Sequence, residues 1–365
     1  MKIQLFCFTV FLLICLLMPA IAPAQVVDIP DPNLRAVIEY FLRKAPGAEI
    51  TVDDMARLAF FNAGDMGIRD LTGLEHAANL TSLSLGYNLI VDISSLAGLT
   101  QLTSLSLDHN SIVDISPLAG LTQLELLWLD HNSIADISPL AGLTQLNLLN
   151  LWENSIVDIS PLVGLTQLEL LYLNYNLIVD ISPLAGLTQL SHLLLEGNSI
   201  ADISPLAGLT QLLYLQLLGN LIADLSPLVA NTGLRTGDTV NVKVNPLSDA
   251  SINTHIPALQ NRWVTVRFDE PEPTPVVNPE RADVNSDGVV NILDLVLVSQ
   301  NFGQAHPQTD INGDGTVNIL DLESVAQHFG STVGDIDIDS PMIVKGTVED
   351  GSPFVDPVPI NISGL

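Results

Sequence analysis

Two stretches of twelve residues concentrate the oxygen chemistry of this chain, DVNSDGVVNILD at 283–294 and DINGDGTVNILD at 310–321. In the first, Asp283, Asn285, Asp287, Asn291 and Asp294 stand at loop positions 1, 3, 5, 9 and 12, with Gly288 at position 6. The second repeats the pattern 27 residues later with Asp310, Asn312, Asp314, Asn318 and Asp321, and with Gly315 at the turn. This spacing wraps hard oxygen ligands around one Ca²⁺, and position 7 adds a backbone carbonyl, from Val289 and Thr316. Glycine at position 6 suits a chain reversal that a Cβ would resist. Soft ligands are absent, so zinc or copper fits these loops poorly. The expectation is two calcium ions, one per loop.

The segments that follow must hold the loops in place. DLVLVSQNFG (294–303) and DLESVAQHFG (321–330) each read as one short helix closed by glycine. No helix is expected before loop one, because PEPTPVVNPE is broken by proline. The result is two half EF-hands, loop then helix, with Asp rather than Glu at position 12. Over about residues 281–330 this pattern closely resembles a type I-like dockerin module, a small all-α domain of two calcium-loop-helix units. The resemblance implies docking onto a cohesin domain of a scaffold protein through loop positions 10 and 11. Here those are Ile292 and Leu293, then Ile319 and Leu320. Many dockerins carry small hydroxyl residues there, so this departure leaves the identity of the cohesin open. The alternative is that these four side chains form the core of a stand-alone calcium domain.

Upstream the chain keeps a second period. Asn recurs every 22 residues from Asn88 to Asn220, and Asp every 22 from Asp70 to Asp224. One unit reads LTSLSLDHNSIVDISPLAGLTQ (102–123), in which Leu105 and Leu107 alternate as on a strand with one buried face. Leu102, Ile112, Ile115, Leu118 and Leu121 point inward from the rest of the coil. A single coil buries too little to fold alone, so the units must stack. The unit matches the leucine-rich repeat pattern LxxLxLxxN, and its DISPLAGLTQ half resembles the internalin-type variant, over residues 70–233. The implied fold is α/β: a solenoid of 22-residue repeats with a parallel β-sheet on its concave face. The Asn column is read as structural, turning the chain off each strand. In DISPL the Ser is expected to cap a short helical turn that starts with Pro, and the Asp to support it. A calcium-binding ladder of these Asp residues is the alternative.

Open solenoids need capped ends. Residues 25–69 are expected to form a helical cap, with Leu34, Val37, Ile38, Phe41 and Leu42 at helical spacing and a second helix through VDDMARLAFF. Residues 234–268 read as the far cap, with strands at TVNVKV and VTVRF around a helix. A Pro- and acid-rich linker (269–280) follows, and 331–365 is a tail, either linker or the start of a small β module. The first 24 residues have the lysine, apolar run and small-residue end of a secretory signal peptide, with an uncleaved anchor as the alternative. Both cysteines, Cys7 and Cys15, lie in that segment, so no disulfide is expected in the mature chain. The expected location is secreted or at the cell surface, with no membrane insertion after cleavage. Lys plus Arg number 12 against 41 Asp plus Glu, a net charge of −29. Such a chain repels nucleic acid and anionic lipid.

Where the repeats vary, they vary on the concave side. The candidate ligand face comprises Tyr87, Asp108, His109, Trp128, Asp130, His131, Trp152, Glu153, Tyr172, Tyr175, His192, Glu196 and Tyr214. Exposed aromatics among carboxylates on a rigid surface suit a protein hot spot or stacking of sugar rings. Neighbouring strand residues splay apart, so Asp108 is not expected to orient His109, nor Asp130 to orient His131. A metal pair of His109 and His131 on adjacent coils is geometrically possible. No GxSxG, HExxH, P-loop or Rossmann fingerprint appears. Glu125, Glu153 and Glu169 sit on an open face that excludes little water, a poor place for paired glycosidase acids. The expected role is therefore non-catalytic recognition of a protein or glycan, with cohesin docking at the other end. By resemblance to dockerin-bearing proteins, the assembly is linked to polysaccharide breakdown. The rival reading is a surface adhesin that binds host or neighbour-cell protein, its calcium domain merely structural.

Overall fold

The computed structural model describes residues 25–269, 279–313 and 315–331. The expected leader (1–24), most of the linker, the tail beyond Ser331 and the ligand Asp314 lie outside the described residues. The chain divides between Asp269 and Glu270 into two compact units.

In the first unit ten three-residue strands form one parallel sheet in strict sequence order, β1 (Phe60–Asn62), β2 (Ser82–Ser84), β3 (Ser104–Ser106), β4 (Leu126–Trp128), β5 (Leu148–Asn150), β6 (Leu170–Tyr172), β7 (His192–Leu194), β8 (Tyr214–Gln216), β9 (Thr239–Asn241) and β10 (Thr265–Arg267). The register is the sequence period itself: Leu83 lies beside Leu105, Leu105 beside Leu127, Leu127 beside Leu149. In the unit 102–123 all seven inward aliphatics are fully or almost fully buried, and one continuous core runs from Val27 to Val264.

The Asn column closes each coil onto its predecessor. The Asn110 amide donates to the carbonyls of Leu85, Leu107 and Asp108 at 3.0, 3.1 and 3.1 Å, and its Oδ1 accepts from Ile90 N at 3.0 Å. Buried backbone groups left over at the bend thus find partners, as they must. In DISPL the Asp supports the turn as expected, but the Ser does not cap it. Asp114, not Ser116, serves the 3₁₀ turn Ser116–Gly120: its Oδ1 accepts from Ser116 N at 2.8 Å and its Oδ2 from the Ser116 hydroxyl at 3.0 Å. The hydroxyl is spent on the carboxylate, so it is not free to cap.

At the N-terminal end, α1 (Pro32–Leu42) starts at Asp31, whose carboxylate accepts from Asn33 N and Leu34 N. The second helix, α2 (Val52–Met55), is shorter than expected. Phe60 and Phe61 instead enter the sheet as β1. Behind this is a missed, degenerate repeat: Leu58, Phe61, Ala63, Ile68 and Leu71 are buried 22 residues before Leu80, Leu83, Leu85, Ile90 and Ile93. Phe and Ala stand where the consensus has Leu, which hid it. At the far end, α3 (Ser226–Ala230) replaces the last 3₁₀ turn, and α4 (Ile256–Gln260), preceded by a π-helical turn, lies between β9 and β10.

In the second unit, α5 (Pro279–Ala282) is one turn of helix immediately before loop one, where none was expected. Proline breaks a helix interior but is accepted in a first turn, because its missing N–H has no helical partner there. The helices α6 (Ile292–Gln300) and α7 (Ile319–Gln327) follow the two loops. Their core is small: Ala282, Val290, Val298, Ile311, Val317 and Val325. Each helix ends on the opposite loop. Gly303, beyond α6, donates to Val317 O at 2.7 Å, and Gly330, beyond α7, donates to Val290 O at 2.7 Å. Both glycines hold positive φ, 78° and 87°.

Candidate functional site

Within loop one, each carboxylate is drawn onto loop N–H groups. Asp283 accepts from Asp287 N at 3.0 Å and Gly288 N at 2.9 Å. Asp294, fully buried, accepts from Asn285 N at 3.0 Å and Asn291 N at 2.8 Å. Asp287 accepts from Val289 N and from the Asn285 amide, and these bonds, the amide's foremost, hold its carboxyl below the usual range. Loop two repeats the scheme: Asp310 accepts from Gly313 N and Gly315 N, and Asp321 from Ile311, Asn312 and Asn318 N. The side-chain atoms that these two loops can offer a cation are oxygens, and carboxylates dominate the set. That chemistry fits a hard divalent cation. The expected ligands Asp283, Asn285, Asp287, Val289, Asn291, Asp294, Asp310, Asn312, Thr316, Asn318 and Asp321 all belong to these two turns.

Two of those ligands per loop have a second task. Asn291 and Asp294 form a capping box at the start of α6, and Asn318 and Asp321 do so for α7. Closing the loop therefore also fixes the first helical turn. That turn carries Ile292 and Leu293, 59% and 55% exposed, and in α7 Ile319 and Leu320, 57% and 52% exposed. They are not the core of the unit, contrary to the alternative reading. Phe302 and Phe329, 27 apart and half exposed, were missed. The repetition that revealed the loops could have pointed to them.

On the solenoid, five successive coils each contribute one ring to a continuous row. Tyr87 stacks on His109 at 4.0 Å between centroids, His109 on His131 at 3.8 Å, and Trp152 and Tyr175 continue at 5.1 and 6.3 Å. For four of the five rings the cause is a column of left-handed residues just beyond each strand: Tyr87, His109, His131, Glu153 and Tyr175 have φ between 51° and 58°, and Gly197 and Gly219 complete it, while Trp152 joins the row from the position before Glu153. Such φ is costly for side chains with a Cβ. It also overturns the expectation for Asp130 and His131, which form a hydrogen bond, and leaves standing that for Asp108 and His109, which do not. The strands end at Ser106 and Trp128, so strand alternation does not extend to 108–109 or 130–131, and the left-handed turn swings each imidazole back. His131 Nδ1 lies 3.1 Å from Asp130 Oδ2, and His109 Nδ1 lies 3.5 Å from Asp108 Oδ2.

Asp130 is buried, with Oδ1 held by the Asn150 amide at 2.7 Å. Burial pushes its carboxyl up, the His131 hydrogen bond pulls it back, and the charge of Asp108 raises it again. The Tyr175 hydroxyl donates to Glu196 at 2.5 Å, which raises its own pKa. Trp128 lines a shallow depression of ≈ 420 Å³ together with Ser82, Ser104, Asp108, His109 and Asp130. His192 and Tyr214 form a separate ring pair at 5.9 Å, and Tyr172 is half-buried on β6. From Arg69 to Arg235 the sequence has no Lys or Arg, so acids and histidines alone set the charge of this face. The Asp column shows no gathered ligand set. Among the described residues, one group of three imidazole or carboxylate ligands is drawn together, and it is His109, Asp130 and His131. No helix among the described residues is long and apolar enough to cross a membrane.

A family profile for Leucine Rich repeats (2 copies) matches residues 78–120, 100–142, 122–163, 144–186 and 188–230. A profile for the Dockerin type I domain matches 281–330. Among solved structures, internalin C2 from Listeria monocytogenes is 31% identical with a TM-score of 0.55, the alignment covering 69% of this chain and 100% of that one. Another internalin from the same organism is 27% identical, TM-score 0.37, covering 70% and 96%. A leucine-rich repeat protein from Leptospira interrogans is 18% identical, TM-score 0.44, covering 61% and 70%. No curated protein matches.

Proposed function

The chain belongs to the internalin-type leucine-rich repeat proteins and carries a type I dockerin domain, and on that premise we propose that it is a secreted, non-catalytic adaptor. Both parts are interaction modules of known kind. In our reading the concave face holds a protein or glycan ligand, and the dockerin plugs the protein into a cohesin of an extracellular scaffold. An assembly devoted to polysaccharide breakdown is the setting that this reading favours.

The observation that carries it is the duplicated pair of bare aliphatic side chains, Ile292 with Leu293 and Ile319 with Leu320, on helix turns capped by the loop residues. Calcium, when bound, supplies positive charge against the clustered carboxylates. Asp283, Asp287 and Asp294 would hold one ion, and Asp310, Asp314 and Asp321 the other, with Asn285, Asn291, Asn312, Asn318 and the carbonyls of Val289 and Thr316 completing the shells. The chain's own residues do the rest: Asn291, Asp294, Asn318 and Asp321 cap the helices and set the apolar pairs. Because the two halves are near copies, either one suffices to grip the partner.

Titration calorimetry of the full chain against type I cohesins, with calcium and with chelator, tests this. Binding should require calcium, survive replacement of one aliphatic pair by Asp-Asp and vanish when both are replaced. A cohesin panel bound equally well by the doubly replaced chain would refute the docking role.

A further inference from the structure

At one place on the solenoid, ligand atoms outnumber the hydrogens that could satisfy them. His131 turns Nδ1 to Asp130 Oδ2 at 3.1 Å and Nε2 to Glu153 Oε2 at 3.0 Å. A neutral imidazole carries a single N–H, so one of these nitrogens meets a carboxylate with its lone pair. Next to it, His109 Nδ1 is shut off from solvent with no hydrogen-bond partner, 3.5 Å from Asp108 Oδ2 and 3.8 Å from Asp130 Oδ2. Asn150 has already claimed Asp130 Oδ1, which leaves Oδ2 aimed between the two imidazoles. The ligand atoms of His109, Asp130 and His131 all lie within 4.8 Å of one another.

We propose that His109, Asp130 and His131 bind a divalent transition-metal ion of the zinc class on the concave face. Two imidazole nitrogens and one carboxylate suit Zn²⁺, Co²⁺ or Ni²⁺ and not Ca²⁺, which sets this site apart from the oxygen loops of the dockerin. The bond from His131 Nε2 to Glu153 is the outer-shell contact that fixes a tautomer and frees Nδ1 for a metal. Asp108 adds a second charge beside His109. The Ser106 hydroxyl holds its Oδ1 at 2.5 Å, and Gly86 leaves it room, since a Cβ there would come within 2.5 Å of the same oxygen. Three protein ligands would leave a fourth position for a donor from a binding partner, and His109 and Asp130 line the same depression as Ser82 and Trp128, through which such a donor would enter. A metal lies in the plane of each imidazole that holds it. Chelation therefore turns the two rings out of their present stack, now 15° from parallel. Trp152, whose ring meets His131 at 5.1 Å, reports that turn.

The test uses the full chain in excess calcium, which keeps the oxygen loops supplied with their own ion. Titration calorimetry with Zn²⁺ should show one more bound equivalent for the parent than for the H109A/H131A double variant. Co²⁺ should give visible ligand-field absorption that the variant lacks, and zinc should shift tryptophan fluorescence in the parent but not in W152F. If the double variant melts early by circular dichroism, H131Q and D130N singly take its place, each expected to weaken zinc binding at least about tenfold. Equal zinc stoichiometry and affinity in parent and variants overturns the proposal. So does a ring stack that responds to acid alone, which would make the histidines a protonated pair and not a metal site.

Discussion

The solenoid and the dockerin are both built by repetition, but they spend it differently. The solenoid lines up copies of one 22-residue coil, so each buries its aliphatic wedge against the next and a continuous core grows with every turn. The dockerin has only two copies, 27 residues apart, and six fully buried apolar residues to share between them. Its remaining order rests on carboxylates gathered in loops, which repel one another until a cation enters. On the proposed reading, one region stores its stability in packing and the other in a bound cation.

The sharpest way to break this contrast is to remove calcium. Chelation should unfold residues 279–331 while the strand signal of the solenoid persists, read by circular dichroism and by protease cleavage confined to the dockerin. Loss of both signals together would mean that the solenoid is not self-sufficient. The converse experiment is Leu149→Ala, which opens a cavity in mid-stack and should cost the solenoid roughly 2–5 kcal/mol in urea melts. Calcium affinity should be unmoved.

Acid offers a smaller probe within the solenoid. Burial alone would raise the Asp31 carboxyl, but N–H bonds from Arg69, Leu34, Asp70 and Asn33 outweigh it and lower it below 3.8. Burial likewise raises Asp54, and the Lys44 ammonium and Thr51 outweigh it. A lowered folded pKa contributes stability that is complete above the unfolded value and lost as pH falls through the folded one. Taken from about pH 6 to about pH 3, the N-terminal end should loosen, and Asp31→Asn should flatten that slope. An unchanged slope would show that the cap does not feel these charges. The smallest effect is Glu153→Gly, which relieves a left-handed backbone at φ 52° and should stabilise the solenoid by about 0.5–1 kcal/mol. A destabilised variant would mean that the bond to His131 outweighs the strain.

The same contrast explains what could be read in advance. Loop ligands follow from spacing within twelve residues, and the coil from columns such as Asn88 to Asn220, so both are local facts repeated in register. The first coil escaped because Phe61 and Ala63 fill leucine places and Met66 stands in the Asn column, where its N–H donates to Asn88 beside the ordinary bond from Ile68 N. The pairing of His109 with His131 is legible from the period, but the approach of Asp130 and Glu153 to His131 is not, because it depends on a sign of φ that His and Glu do not advertise. Gly197 and Gly219 in the same column were the legible hint. The one-turn helix at Pro279 is hidden because proline breaks a helix everywhere except in its first turn.

The crossed ties from Gly303 to Val317 and from Gly330 to Val290 carry a further consequence. Each loop is buttressed by the far end of its twin's helix, so, on the proposed reading, an ion entering one loop would stiffen the wall of the other. Calcium uptake should accordingly be cooperative, with half-filled molecules scarce along the titration, and damage to either cage should be felt by both.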